Sequence, residues 1–191
     1  MNTREIAETA ITQFGAKQDG EELAEFLAWL RDLRPRPKYI LEIGVYRGGS
    51  MWAMQQVVPD ATFIGIDCSF KRLGRCEFRT GTHFIFGRSG SVSDQVRRLY
   101  DPEEAVVFID GDHSYDAVVM DSELYPARHQ VFHDVKDGRK ADRERLVCHF
   151  YQERQEEFVE LFSRHKNFVG IGVRVPPALR GGEHGHALAT R

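Results

Sequence analysis

Cysteine is scarce. The chain has three, and Cys68, Cys76 and Cys148 show neither CxxC spacing nor the density of a disulfide scaffold. A disulfide-stapled fold is excluded, and reduced thiols in a cytosolic compartment fit. No apolar run approaches the roughly 20 residues that a membrane-spanning helix needs. Residues 1–5 also lack the basic and then apolar pattern of a secretory signal. The expectation is a cytoplasmic protein with no membrane partner. An excess of charge of one sign is missing too: a net charge of −3 and a pI near 6.2 give no broad positive field for phosphate backbones, which argues against a nucleic-acid partner. No internal repeat is visible, and nothing in the pattern indicates an oligomeric state.

What is present is ordinary globular material, 191 residues of which 41% are hydrophobic, enough to enclose one core. A single domain over 1–178 is expected, followed by a mobile, glycine-rich tail over 179–191. His184 and His186 belong to that tail, where a floppy terminus is a simpler account than a metal site. Leu23, Phe26, Leu27 and Leu30 recur at helical spacing and predict a helix over 21–34, stopped by Arg34-Pro35-Arg36-Pro37. Short apolar runs at 39–43, 62–66, 83–86, 105–109 and 130–132 predict strands. Helix-length segments separate them at 49–58, 70–76, 91–100 and 114–124. Residues 143–165 read as one amphipathic helix and 167–175 as a last strand. Alternating strand and helix implies right-handed crossovers and an α/β, doubly wound, mostly parallel sheet with helices on both faces, a Rossmann-like architecture. Ligands in such sheets sit at the carboxyl ends of the strands.

The first and fourth strands are each followed at once by unusual polar or glycine residues. The run Leu41-Glu42-Ile43-Gly44-Val45-Tyr46-Arg47-Gly48-Gly49-Ser50 leaves a strand and opens a helix. Glycine at Gly44 permits a sharp turn and close approach of a ligand, and the helix amides behind Gly48 and Gly49 point into the crevice. The pattern is not GxGxxG, which disfavours a dinucleotide fold. One crossover away the next strand ends in Asp67, whose carboxylate suits both hydroxyls of a ribose, although a strand-terminal Asp also serves as a turn cap. At the fourth strand, Asp110-Gly111-Asp112-His113-Ser114-Tyr115 crowds two acids and a histidine onto the end of a buried strand. Folding alone does not place three polar groups there.

The glycine loop and Asp67 resemble class I S-adenosylmethionine-dependent methyltransferases over roughly residues 39–135. The resemblance implies that Glu42, Gly44 and Ser50 line the methionine end of the cofactor, that Asp67 binds ribose, and that the Gly87-Arg88-Ser89 turn lies beside adenine, with Ser89 as the contact. Relatives often have an acid where this chain has Arg88. The stretch Asp110-Gly-Asp-His-Ser-Tyr, with Asp121 and then Phe132-His133-Asp134-Val135, resembles the family of macrocin-type sugar O-methyltransferases and cephalosporin hydroxylase-like proteins. In these and in catechol-type O-methyltransferases the ends of strands four and five hold a divalent metal. The corresponding positions are Asp110, His133 and Asp134, with Asp110 also bordering the cofactor.

An oxygen-rich site suits Mg²⁺ or Mn²⁺, whereas a histidine ligand favours Mn²⁺, Fe²⁺ or Zn²⁺, unless His133 only supports the ligands. The resemblance also implies a base. His113 falls where catechol-type relatives place a lysine, and Asp112 is the rival acid. The link from Asp121 to His129 lacks the Pro-Gly-Gly turn usual before the fifth strand, which implies an open acceptor side. The expected function is methyl transfer to a small hydroxylated acceptor. A metal-independent methyltransferase acting on another nucleophile and a non-catalytic cofactor-binding subunit are the competing classes.

Overall fold

A computed structural model describes residues 1–74, 76–136, 146–163 and 170–176. Helices α1 (Thr3–Thr12) and α2 (Gly20–Asp32) precede the first strand. The alternating part follows as β1 (Tyr39–Ile43), α3 (Gly49–Val57), β2 (Thr62–Asp67), β3 (Thr82–Phe86), α4 (Ser89–Val96), β4 (Ala105–Ile109), α5 (Tyr115–Leu124) and β5 (His129–His133). The chain then forms α6 (Val147–Glu153), β6 (Phe158–Phe162) and β7 (Ile171–Arg174). No helix among the described residues is long and apolar enough to cross a membrane.

The strands form one sheet in the order β3-β2-β1-β4-β5-β7-β6. Strands β1 to β5 are mutually parallel, and the β6–β7 pair is added antiparallel to β5. This bears out the expected doubly wound, mostly parallel sheet. Both faces are covered, so the central strands are apolar throughout rather than alternating with polar residues. Ile40, Phe63, Val106 and Phe108 pack on one side with Leu23, Phe26, Leu27 and Leu30 of α2 and Met51 of α3. Leu41, Ile43, Ile64, Ile66, Val107 and Ile109 pack on the other with Val96 of α4, Val118 of α5 and Phe150 of α6.

Strand order reverses at β1, which pairs with β2 on one side and β4 on the other. Connections leave β1 and β4 toward opposite faces, so their carboxyl ends open a crevice between them, the usual ligand position in such sheets.

Several expectations need correction. Helix α1 was not anticipated; it is started by a capping box in which the Asn2 side chain accepts from the Glu5 N–H and the Glu5 carboxylate accepts from the Asn2 N–H. The helix expected over 70–76 is only a 3₁₀ turn at Phe70–Arg72, and the one expected over 91–100 is Ser89–Val96. The single helix expected over 143–165 is instead α6, a 3₁₀ turn at Gln155–Glu157 and strand β6. Phe158, Leu161 and Phe162 have helical spacing, but β6 is held by pairing with β7, and an irregularity between Phe158 and Glu160 breaks the two-residue alternation that would have announced a strand. The glycine-rich tail, the start of the expected 143–165 helix and the start of the last strand lie outside the described residues.

Candidate active site

The turn after β1 is built for close approach. Gly44 has φ +91°, and a Cβ there would stand 2.3 Å from the Asp110 carbonyl oxygen and 2.6 Å from the Gly111 Cα. The Gly44 N–H donates to Ile66 O (2.9 Å) and the Asp110 N–H to Ile43 O (2.9 Å), so the ends of β1, β2 and β4 are tied side by side. Beneath the turn Glu42 is wholly buried and accepts a hydrogen bond from the Ser50 hydroxyl. Burial pushes its carboxyl well above the usual range, and the nearby Asp110 and Asp67 charges add to the effect.

At the end of β2, Asp67 Oδ2 accepts from the Tyr46 N–H (2.8 Å) and Oδ1 from the Ser69 N–H (2.8 Å). It therefore does act as a turn cap, while it also lines the cleft and each oxygen can accept a further hydrogen bond. Ser89 opens α4, and its carbonyl accepts from the buried Tyr125 hydroxyl (2.6 Å), which pins that helix start to the end of α5.

The ends of β4 and β5 bring Asp110, His113, His133 and Asp134 together. Asp110 Oδ1 lies 3.1 Å from His113 Nε2 and 2.9 Å from His133 Nδ1. His113 Nδ1 lies 2.7 Å from Asp134 Oδ2, and His133 Nδ1 lies 3.0 Å from Asp134 Oδ1. Burial opposes the charge on Asp110, but the His133 and His113 imidazoles outweigh it and hold the carboxyl at about 2. For His113 the same balance runs the other way: burial lowers its pKa, and the Asp110 and Asp134 carboxylates outweigh burial and raise it to about 10. His133 is raised likewise, chiefly by Asp110 against its own burial. Both nitrogens of His113 thus face carboxylates, and only a doubly protonated ring or one engaged with a cation satisfies both.

Asp112 stands apart from this cluster. It is exposed in the same cleft, and Oδ1 accepts from the Ser114 N–H (3.0 Å). The cleft has a volume of about 890 Å³ and runs from Gly44 and Asp67 past Ser89 to Asp112, His113 and Asp134. Glu42 and Ser50 lie beneath it rather than on its wall.

One neighbour of the cluster was not foreseen. Gln18, buried in the segment between α1 and α2, donates from Nε2 to Asp110 Oδ2 (2.6 Å). The contact spans 92 positions of sequence, so no local spacing could have revealed it. Lys17 and Tyr46 also line the cleft.

The donor set fits a cation. One carboxylate oxygen and two imidazole nitrogens, from Asp110, His113 and His133, lie within 4.8 Å of one another. His133 Nε2, moreover, is buried with no hydrogen-bond partner among the described residues. Of the expected trio of Asp110, His133 and Asp134, the first two fall in this donor group with His113 as its third member, while Asp134 lies beside it against both histidines.

The family model described as "Methyltransferase domain" matches residues 41–134, from within β1 to the residue after β5. No curated protein matches the chain. Among solved structures, the MycE methyltransferase of the mycinamycin biosynthetic pathway, in complex with Mg and SAH, is 18% identical with a TM-score of 0.68; the match covers 95% of this chain and 56% of that one. An O-methyltransferase from Bacillus cereus in complex with SAH is 14% identical with a TM-score of 0.58, covering 92% of this chain and 90% of that one. TomG from Streptomyces achromogenes, an O-methyltransferase involved in tomaymycin synthesis and in complex with SAM, is 17% identical with a TM-score of 0.58, covering 92% and 89%. At these identities the likeness is one of fold, and the chain spans little more than half the length of the mycinamycin enzyme. The resemblance read from the glycine loop and the strand ends is met in both comparisons: residues 41–134 match the methyltransferase-domain model, and the sheet shares its fold with these methyltransferases.

Proposed function

We propose that the chain transfers a methyl group from S-adenosylmethionine to a hydroxyl oxygen of a small acceptor, assisted by a divalent metal ion. The observation that carries this reading is the convergence, in one cleft at the switch in strand order, of the Gly44 turn, the Asp67 carboxylate and the Asp110, His113, His133 and Asp134 cluster. A structure similar in fold holds Mg, SAH and mycinamycin VI together, which supports a small-molecule acceptor.

The residues divide the work by position. Gly44 leaves room for the methionine part, with Glu42 and Ser50 supporting the turn from below. Asp67 offers its remaining lone pairs to the ribose hydroxyls, and Ser89 stands at the adenine side. Asp110, His113 and His133 would hold the metal ion, and Asp134, expected as a ligand, would instead accept from His113 and orient its ring. When bound, the cofactor supplies an electrophilic methyl on sulfur and the ion stabilises negative charge on the acceptor oxygen.

The acceptor hydroxyl must lose its proton as its oxygen bonds to the methyl carbon and the carbon–sulfur bond breaks. His113, expected as the base, has both nitrogens turned to carboxylates. We therefore assign the proton to Asp112, which is exposed in the cleft and keeps one oxygen clear of the Ser114 contact.

Titration calorimetry with S-adenosylhomocysteine tests the cofactor assignment. Asp67→Ala removes charge-assisted hydrogen bonds and should cost about 1.5–3 kcal/mol, roughly a 10- to 150-fold weaker affinity. Wild-type affinity in that variant refutes the ribose role. Failure of the unaltered chain to bind at all refutes the function.

A further inference from the structure

The cluster at the ends of β4 and β5 does more than fit a cation; its nitrogen content says which. Resting on the metal-assisted reading above, the geometry points to a site that selects a first-row transition ion, from Mn²⁺ to Zn²⁺, over Mg²⁺, with Asp110, His113 and His133 as its protein ligands.

Asp110 Oδ1 stands at the corner of the arrangement, 3.1 Å from His113 Nε2 and 2.9 Å from His133 Nδ1. Two adjacent ligands on an octahedral ion with bonds of about 2.1 Å are about 3.0 Å apart. All three donor atoms lie within 4.8 Å of one another, close enough for a single ion to draw them together. Three protein donors leave the remaining positions to water or to acceptor oxygens.

The surroundings orient each donor. Asp134 Oδ2, 2.7 Å from His113 Nδ1, accepts that N–H and so fixes the tautomer whose Nε2 lone pair faces Asp110 Oδ1. Gln18 occupies the other oxygen of Asp110 at 2.6 Å, which leaves Oδ1 for the ion. His133 is buried, with Nδ1 held between Asp110 Oδ1 and Asp134 Oδ1. Mg²⁺ is held through oxygen and retained water, whereas imidazole suits the later first-row ions, and two imidazoles with one carboxylate form a donor set of open-sided transition-metal sites. His113 is then a ligand, consistent with the assignment of the proton to Asp112.

The test uses the full chain stripped by chelation. Co²⁺ is titrated by visible absorption and calorimetry, alone and against Mg²⁺, while pulsed EPR of the Mn²⁺-loaded chain reads coupling to imidazole nitrogen. The expected result is one Co²⁺ per chain at this site, bound at least about 100-fold more tightly than Mg²⁺, with nitrogen coupling from two rings. His133→Asp and His113→Asp, each replacing nitrogen by oxygen, should narrow the preference at least tenfold. A His113→Ala, His133→Ala double variant keeps His184 and His186 of the terminal segment and should lose the site.

Mg²⁺ that matches Co²⁺ in the unaltered chain overturns the inference, as does Co²⁺ binding retained in the double variant. Absence of any bound divalent ion also overturns it and leaves a network held by protons alone. S-adenosylhomocysteine affinity of the metal-free chain is measured alongside. Transition-ion selectivity without cofactor binding removes the proposed function and keeps this inference; cofactor binding with no preference over Mg²⁺ does the reverse.

Discussion

Replacing Gly44 with alanine separates two costs that are usually confounded. At φ +91° any L-residue is strained, by about 1–2 kcal/mol. The new Cβ would also stand 2.3 Å from the Asp110 carbonyl oxygen and 2.6 Å from the Gly111 Cα, both backbone atoms that cannot swing aside. Forcing such an overlap into packed structure costs a further ~1–3 kcal/mol. The chain contains its own control. Gly81 has φ +90°, yet a Cβ added there meets nothing within 4 Å, so Gly81→Ala carries the conformational cost without the collision. Urea denaturation of the two variants should show Gly44→Ala about 2–5 kcal/mol less stable than the parent and Gly81→Ala about 1–2. The difference between them measures how tightly the ends of β1 and β4 are pressed together. Equal losses in the two variants refute the close approach. The cleft should register the change as well, because relief of the overlap moves Asp110: S-adenosylhomocysteine affinity should fall in Gly44→Ala and stay at the parent value in Gly81→Ala.

Two further outcomes follow from other parts of the chain. Burial, with Arg128 adding to it, lowers the His129 imidazole from 6.5 to about 4. Its folded pKa therefore lies below its unfolded one, the unfolded chain takes up the proton first, and stability should fall as pH drops from about 6.5 toward 4, by at most ~1.4 kcal/mol per pH unit; the parent and His129→Gln should diverge in that window alone, and parallel pH profiles refute the assignment. Asn2→Ala removes the side-chain half of the α1 capping box and should cost about 0.5–2 kcal/mol, read as faster amide exchange in the first turn of α1, with unchanged exchange there as the contrary result.

How much was legible depended on where the information lay. Strands β1 and β4 fall where their apolar runs lie because both faces are buried and each run is cut off by a polar or glycine residue, Gly44 or Asp110. The carboxylates and histidines at the strand ends stood out for the complementary reason: polar groups directly after such runs have no folding role to explain them. Helix α1 is faint in sequence because its buried stripe is thin, only Ile6, Ala7 and Ala10, and its one clear signal is Asn2 and Glu5 at capping-box spacing. Strand β6 looks helical in sequence because Phe158, Leu161 and Phe162 mimic helical spacing, and the partner that makes them a strand, β7, lies beyond a connection. The sequence offers His113 as a base, with Asp112 as its rival. The place of His113 between Asp110 and Asp134 depends on how β4 and β5 are staggered, which no spacing within one segment encodes.

The hydrogen bond from Gln18 to Asp110 joins the cleft to a part of the chain outside the alternating sheet. The segment that carries Gln18 is fastened at one end by the Ala16 N–H on Ala10 O and at the other by the Asp19 cap of α2, so it moves only if the two N-terminal helices move. Helix ends are the first parts of a fold to open. When α1 and α2 shift together, Asp110 loses the amide on Oδ2 and becomes free to turn both oxygens toward the histidines. Thermal loosening at the amino-terminal end should therefore alter the chemistry of the cleft at temperatures where the central strands are still fully folded.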